Sequence, residues 1–288
     1  MRYEGIMAAA PGDLAGRTVL VTGANTGIGR ATATVLAGRG ACVFVACRSE
    51  PKGRAAVAGI VAVTGNPAVA LLPLDLADLA SVRRCAGEFL ALGQPLHVLV
   101  NNAGVGGQRG ITGDGFELAF GVNHLGHFAL TAALMDRLAD SAPARVVTVA
   151  SDAHYQATGV DWAAVRQRTA SFTARREYAV SKLCNVLFSA ELARRAGPQG
   201  ITSYALHPGV VASDIWRRVP WPARPLIKLR MLSPEQGAAT SLYCATAPEV
   251  SADSGRYYEA SRVREPSKAA TAELARALWE RSQAWTAS

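Results

Sequence analysis

The chain has 288 residues, half of them hydrophobic and 18% charged, which gives ample apolar material for a core and argues against disorder. Its formal charge of +8 comes from basic residues scattered without interleaved aromatics, a pattern that argues against nucleic acid and suits an anionic, phosphorylated ligand. No apolar run approaches the ~18–20 residues of a membrane helix, and five cysteines form neither a C-x-x-C pair nor a metal-like cluster, so a cytoplasmic protein with reduced thiols is expected.

The opening "MRYEGIMAAAPGDLAGR" carries acids and lacks an apolar stretch of signal-peptide length. Residues 1–13 are therefore expected to be loose rather than targeting. The first strand, "RTVLVTG" (17–23), runs into "TGANTGIGR" (22–30) and a helix over 28–39. In that turn Gly23, Gly27 and Gly29, with Asn25, Thr26 and Ile28 between them, let the backbone bend sharply and approach a pyrophosphate. They would present N–H groups at the positive end of a helix. Three glycines in an ordinary tight turn is the plainer alternative, weakened by the position directly between a strand and a helix.

The second strand, "ACVFVAC" (41–47), ends at Cys47 where NAD-binding folds often place an acid against the ribose hydroxyls. Arg48 follows, and its guanidinium can clamp a 2′-phosphate, which favours NADP(H) over NAD(H). Glu50, two positions on, keeps NAD(H) open. Helix 52–64, strand "AVALLPL" (68–74), helix 78–92, strand "LHVLVNN" (96–102), helix 114–139, strand "ARVVTVA" (144–150), helix 177–196 and strand "ITSYALH" (201–207) follow, and "GRYYE" (255–259) closes the series. Continuous Val, Ile and Leu runs indicate strands buried on both faces. Strand–helix alternation of this kind predicts a doubly wound Rossmann fold, α/β, with about seven parallel strands in a single domain over 1–288.

Two stretches break the rhythm, 152–176 and 208–233, each after the carboxyl end of a strand. Ligands bind at those ends in open α/β sheets, so both are expected to be lids, with Tyr155, Trp216 and Trp221 as apolar walls. Arg175 and Arg176 leave room for an acidic substrate. His124 and His127 have no acid or thiol to complete a metal site, so packing is expected of them.

"YAVSKLCN" (178–185) poses a sharper question, because only four of the thirty basic side chains are lysines. Tyr178 and Lys182 stand four apart on one helix face. The pair is either a patch on a helix surface or an acid beside the charge that tunes it. Taken with "DL" (75–76), "NNAG" (101–104), "VNHLGHF" (122–128), Ser151 after a strand and "HPG" (207–209), the glycine turn and this pair resemble the short-chain dehydrogenase/reductase family over roughly residues 15–260. The wording is most similar to its retinol-dehydrogenase-like branch, with some shared by the protochlorophyllide reductases.

The resemblance implies that Tyr178 is the general acid/base, that Lys182 tunes it and holds the nicotinamide ribose, and that Ser151 bonds the substrate oxygen. It implies that Asn123 supports a water-mediated proton path through Lys182. A neighbouring ammonium, with an oxidised nicotinamide, is expected to lower the phenol's pKa. Asn102, Ala103 and Gly104 would approach the adenine-side ribose, Asp75 and Leu76 the adenine edge, and Pro208, Gly209, Val211 and Ser213 the nicotinamide. Ser151 lies 27 positions before Tyr178, a longer gap than the family's common spacing and one shared by the retinol-dehydrogenase-like branch. The implied activity is hydride transfer between NADP(H) and a hydrophobic or aromatic carbonyl or alcohol. Reduction of a C=C bond, or an NADP-binding sensor without turnover, are the alternatives. A homodimer or homotetramer built on helices 114–139 and 177–196 is implied as well.

Overall fold

The computed structural model describes residues 12–210 and 232–287. Five consecutive buried residues, Thr18–Thr22, form strand β1, and a run with no polar face can only sit between two layers. Val19 and Val21 point into one core with Val43, Val45, Leu36 and Leu242, while Leu20 points into the other with Phe44, Leu99 and Phe89. Helix α1 (Gly27–Gly38), β2 (Cys42–Cys47), α2 (Glu50–Thr64), β3 (Val69–Pro73), α3 (Leu79–Ala91) and β4 (Val98–Asn101) follow in the predicted alternation. The second half holds α4 (118–133), α5 (Met135–Asp140), β5 (Ala144–Val149), α6 (Arg175–Ala196), β6 (Ile201–His207), α7 (Pro234–Thr246), β7 (Tyr257–Glu259), β8 (Arg262–Arg264) and α8 (Ala272–Thr286).

The sheet order is β3-β2-β1-β4-β5-β6-β7-β8. All seven predicted strands are present and parallel, and β8 adds an antiparallel edge against β7. The order reverses between β1 and β4, and the carboxyl ends of those two strands open the crevice where doubly wound sheets bind ligands.

The helix expected over 114–139 is shorter and interrupted. Helix α4 begins at Leu118–Phe120, widens into a π turn at Gly121–Leu125 and resumes as Gly126–Ala133. Its start is fixed by Glu117, whose carboxylate accepts from Phe120 N at 2.9 Å, and Leu134 separates it from α5. Helix α7 opens on a capping box, Ser233 with Gln236, which satisfies two end N–H groups reciprocally.

Helix α8 lies across α4 and α6, the two helices expected to meet another copy. Trp279 stacks on Phe188 with centroids 6.0 Å apart and meets Phe128 edge-on at 5.0 Å. Trp285 packs against Phe116 and Phe120, and Ser282 bonds His124 Nε2 at 2.9 Å. The chain's own C-terminal helix thus covers the apolar face assigned to a partner.

Segment 152–176 is fastened at several points. Glu117 N donates to the Val165 carbonyl at 2.9 Å, Thr169 bonds the Glu117 carboxylate, and Ser171 N donates to Glu177 Oε1 at 2.8 Å. Tyr155, expected as an apolar wall, donates its hydroxyl to the Glu265 carbonyl at 2.6 Å and lies against His154. The N-terminal edge is tied as well, since Asp13 pairs with Arg39 at 2.5 Å. Trp216, Trp221, Val211 and Ser213 lie outside the described residues, as do residues 1–11. Among the described residues no helix is long and apolar enough to cross a membrane.

Candidate active site

The glycine turn is held tightly against the end of β4. A Cβ at Gly23, whose φ is +67°, would come within 2.9 Å of Ala103 Cα. One at Gly29 would lie 2.7 Å from the Gly23 carbonyl oxygen and collide with Asn102 Nδ2. Gly27 needs its glycine for another reason, a φ of +57° with open space around it. Thr22 joins the two strand ends: its hydroxyl accepts from Asn102 N and Ala103 N, both at 2.9 Å, and its carbonyl accepts from Asn102 Nδ2 at 2.7 Å. Thr26, the residue before α1, makes no capping bond with its side chain, and the first turn carries no acid. A helix start that excludes Cβ atoms and is left without an internal carboxylate fits a nucleotide's pyrophosphate. Asn25 and Ile28 are half-buried in the same turn, Ile28 against the core.

Arg48 is exposed just beyond β2. Glu50, the acid that kept NAD(H) open, is engaged by Arg54 at 3.2 Å. Asp75 accepts from Ala77 N at 3.0 Å and so shapes its own turn. Leu76 is 6% exposed and lies under Gly126, where a Cβ would stand 2.6 Å from its carbonyl oxygen. Pro208 and Gly209 leave β6 together, and Gly209, at φ +85°, passes so close to Leu232 that a Cβ would be 2.5 Å from it.

Asn123, Ser151, Tyr178 and Lys182 come together from α4, the end of β5 and α6. The π turn places Asn123 inward, where Oδ1 accepts from Val105 N at 2.8 Å and Nδ2 donates to the Val105 carbonyl and Ser181 Oγ at 3.0 and 2.9 Å. Lys182 is 3% exposed, donates to the Val149 carbonyl at 2.8 Å and sits 5.6 Å from the Tyr178 ring centroid. Gly104 closes the group: a Cβ there would lie 3.2 Å from Asn123 Oδ1 and 3.6 Å from Lys182 Nζ. Ser151 Oγ donates to Asp152 Oδ1 at 2.9 Å and accepts from Ala153 N at 3.2 Å.

Burial draws the Lys182 ammonium down to about 7. Burial also pushes the Tyr178 phenol above its ordinary value, with Ser151 pulling it back and the Asp152 charge pushing the same way as burial. Lowering of this phenol by the lysine is therefore not a property of the protein by itself.

Two side chains of this site were not assigned to it from the sequence, His127, of which only packing was expected, and Asp152. His127 Nδ1 lies 2.9 Å from the Asn123 carbonyl and Nε2 2.8 Å from Thr22 Oγ1. A carbonyl only accepts, so Nδ1 carries the proton and Nε2 accepts from the Thr22 hydroxyl. Burial pushes His127 down to about 4, so this neutral form persists near neutral pH and ties the glycine turn to the tetrad asparagine. The i, i+4 spacing of Asn123 and His127 was the available signal. Asp152, beside Ser151, is the other. His124 turns away toward Ser282 and shares no centre with His127.

Residues 17–221 match a family model described as short chain dehydrogenase, and the chain belongs to that family. It is an oxidoreductase of a family that binds a nicotinamide cofactor. Among similar curated proteins are retinol dehydrogenase 12 of Mus musculus, 44% identical over 92% of this chain and 84% of that one, and polyprenol dehydrogenase of Mus musculus, 45% identical over 92% and 82%. Among solved structures, an uncharacterized protein from Mycobacterium paratuberculosis superposes with a TM-score of 0.76 at 34% identity, covering 98% of this chain and 97% of the other. Pseudomonas aeruginosa RhlG in an NADP active-site complex gives a TM-score of 0.69 at 27% identity, covering 85% and 95%.

Proposed function

We propose that the protein is an NADP(H)-dependent oxidoreductase acting on a hydrophobic carbonyl or alcohol, with Tyr178 as general acid/base. The observation that carries this reading is the buried Lys182, 5.6 Å from the Tyr178 ring, beside Ser151 and Asn123 at the mouth of a glycine turn too tight for a Cβ. The turn 23–29 with Asn102, Ala103 and Gly104 would hold the pyrophosphate and adenosine half, and Lys182, Pro208 and Gly209 the nicotinamide half. When bound, the nicotinamide supplies or accepts the hydride.

The side chains do the rest. Tyr178 gives its phenolic proton to the substrate oxygen in reduction and takes one back in oxidation. Lys182, as a cation, favours the phenolate and fixes ribose hydroxyls as a compact donor. Asn123 clamps the loop at Val105 and so holds Gly104 against Lys182. An exposed Arg48 with Glu50 already paired supports NADP(H) over NAD(H). Relatives named for retinol and polyprenol, both apolar alcohols, support a hydrophobic substrate. Five free thiols support a reducing, cytoplasmic setting. With α8 over α4 and α6, a homodimer or homotetramer would have to use other surfaces.

Titration with NADPH and NADH, followed by turnover on a panel of apolar aldehydes and ketones, tests the reading. Tighter NADPH binding is expected, and Arg48→Ala should weaken it roughly 10- to 100-fold while leaving NADH unchanged. Equal affinities in both proteins would remove Arg48's role, and absence of turnover on every carbonyl would remove the reductase.

A further inference from the structure

Asp152 follows Ser151 at the end of β5, and its Oδ1 accepts the Ser151 hydroxyl proton at 2.9 Å. A serine carries one such proton. Asp152 and the Tyr178 oxygen, which Ser151 also hydrogen-bonds, therefore compete for it. Ala153 N, donating to Ser151 Oγ at 3.2 Å, fixes the hydroxyl from the other side. The second carboxylate oxygen lies 4.0 Å from His207 Nε2, while His207 Nδ1 accepts from Asp152 N at 3.3 Å. Burial holds His207 below its usual pKa, so it is a neutral neighbour near pH 7 and not a counter-ion.

We propose that Asp152 is a positioning residue acting through Ser151: it competes with the Tyr178 oxygen for the serine's proton, so that the phenolate needed to take a proton from an alcohol forms less readily. This rests on the oxidoreductase reading above and deepens it. Reduction places a hydride from the nicotinamide on the carbonyl carbon as the Tyr178 O–H bond breaks and its proton passes to the carbonyl oxygen. Oxidation returns both, and needs Tyr178 as phenolate. Asp152 weakens the bond by which Ser151 lowers the phenol, and its carboxylate charge opposes the phenolate directly. The groups facing Tyr178 are Lys182 from its own helix, Ser151 and Asp152 from β5, and behind Asp152 His207 at the end of β6, itself under the influence of Glu259 on β7.

The test is a pair of pH–rate profiles, alcohol oxidation and carbonyl reduction on one substrate pair, for the parent chain, Asp152→Asn and Asp152→Ala. In both variants oxidation near pH 7 should rise roughly three- to tenfold and its alkaline limb should move to lower pH, with reduction changed far less. In a Ser151→Ala background the ratio between Asp152 and its variants should fall toward one. Profiles unchanged in both variants, or a ratio undiminished without Ser151, would overturn the proposal. NADPH binding is measured alongside, so that a parent chain which binds nucleotide and turns over neither substrate counts against the oxidoreductase reading and not against Asp152.

Discussion

At the scale of single residues, the site shows how burial decides what a charged group can do. Lys182 is enclosed by α4, β5 and α6, and its hydrogen bond to the Val149 carbonyl does not compensate for lost water. Its folded pKa lies below the unfolded value, so the unfolded chain binds the extra proton between about pH 7 and the ordinary lysine range. Stability attributable to this group therefore rises with pH across that window and is lowest below it. Lys182→Met should raise the unfolding free energy near pH 7 by roughly 0.5–3 kcal/mol while removing turnover, and the gain should shrink as the pH rises. Parallel denaturation curves at neutral and alkaline pH check it. Tyr178 and Lys182 stood out by their i, i+4 spacing and Ser151 by the family resemblance, and the structure brings the three together. Asp152 was not readable, since nothing in "SDAH" tells whether a carboxylate turns back onto the preceding hydroxyl or out to solvent.

At the scale of elements, the turn 22–29 and the π turn in α4 are the parts that place the chemistry. Gly29 and Gly27 give a matched pair of variants. Gly29→Ala pushes a methyl into backbone and Asn102, and should cost about 1–3 kcal/mol and most of the NADPH affinity. Gly27→Ala meets open space and only a left-handed φ, costing about 1–2 kcal/mol with a weaker effect on binding. Thermal melts and nucleotide titrations separate the two. The parallel strands were legible as β-rich runs, continuous and apolar at the centre of β2, β4 and β5 and interrupted by Thr202 and Ser203 in β6. Strand β8, three exposed residues reading Arg-Val-Arg, has no apolar signature and owes its existence to pairing with β7. The π turn was hidden because its widening depends on contacts with Val105 and Ser181, remote in sequence. Helix α7 did carry a signal, the Ser-Pro-Glu-Gln run of its capping box.

At the scale of the whole molecule, α8 changes what the remaining helices are for. Leu278 and Ala275 are buried against α6, and Trp279 lies between Phe128 and Phe188 with Arg195 5.0 Å over its ring. Leu278→Ala should cost about 2–5 kcal/mol, a cavity under a helix that cannot follow the loss. Chemical denaturation reads it. The apolar faces of α4 and α6 were expected to meet another copy, and the amino-acid pattern does not say whether they pack on another copy or on the same chain. The central claim is hydride transfer to a carbonyl with a proton from Tyr178, and the most direct measurement uses NADPH carrying deuterium at both C4 positions of the nicotinamide. The account predicts deuterium on the former carbonyl carbon of the alcohol product, with the rate cut roughly 10²–10⁴-fold in Tyr178→Phe although NADPH still binds. Unlabelled alcohol, or full labelling at an unchanged rate in Tyr178→Phe, would contradict it.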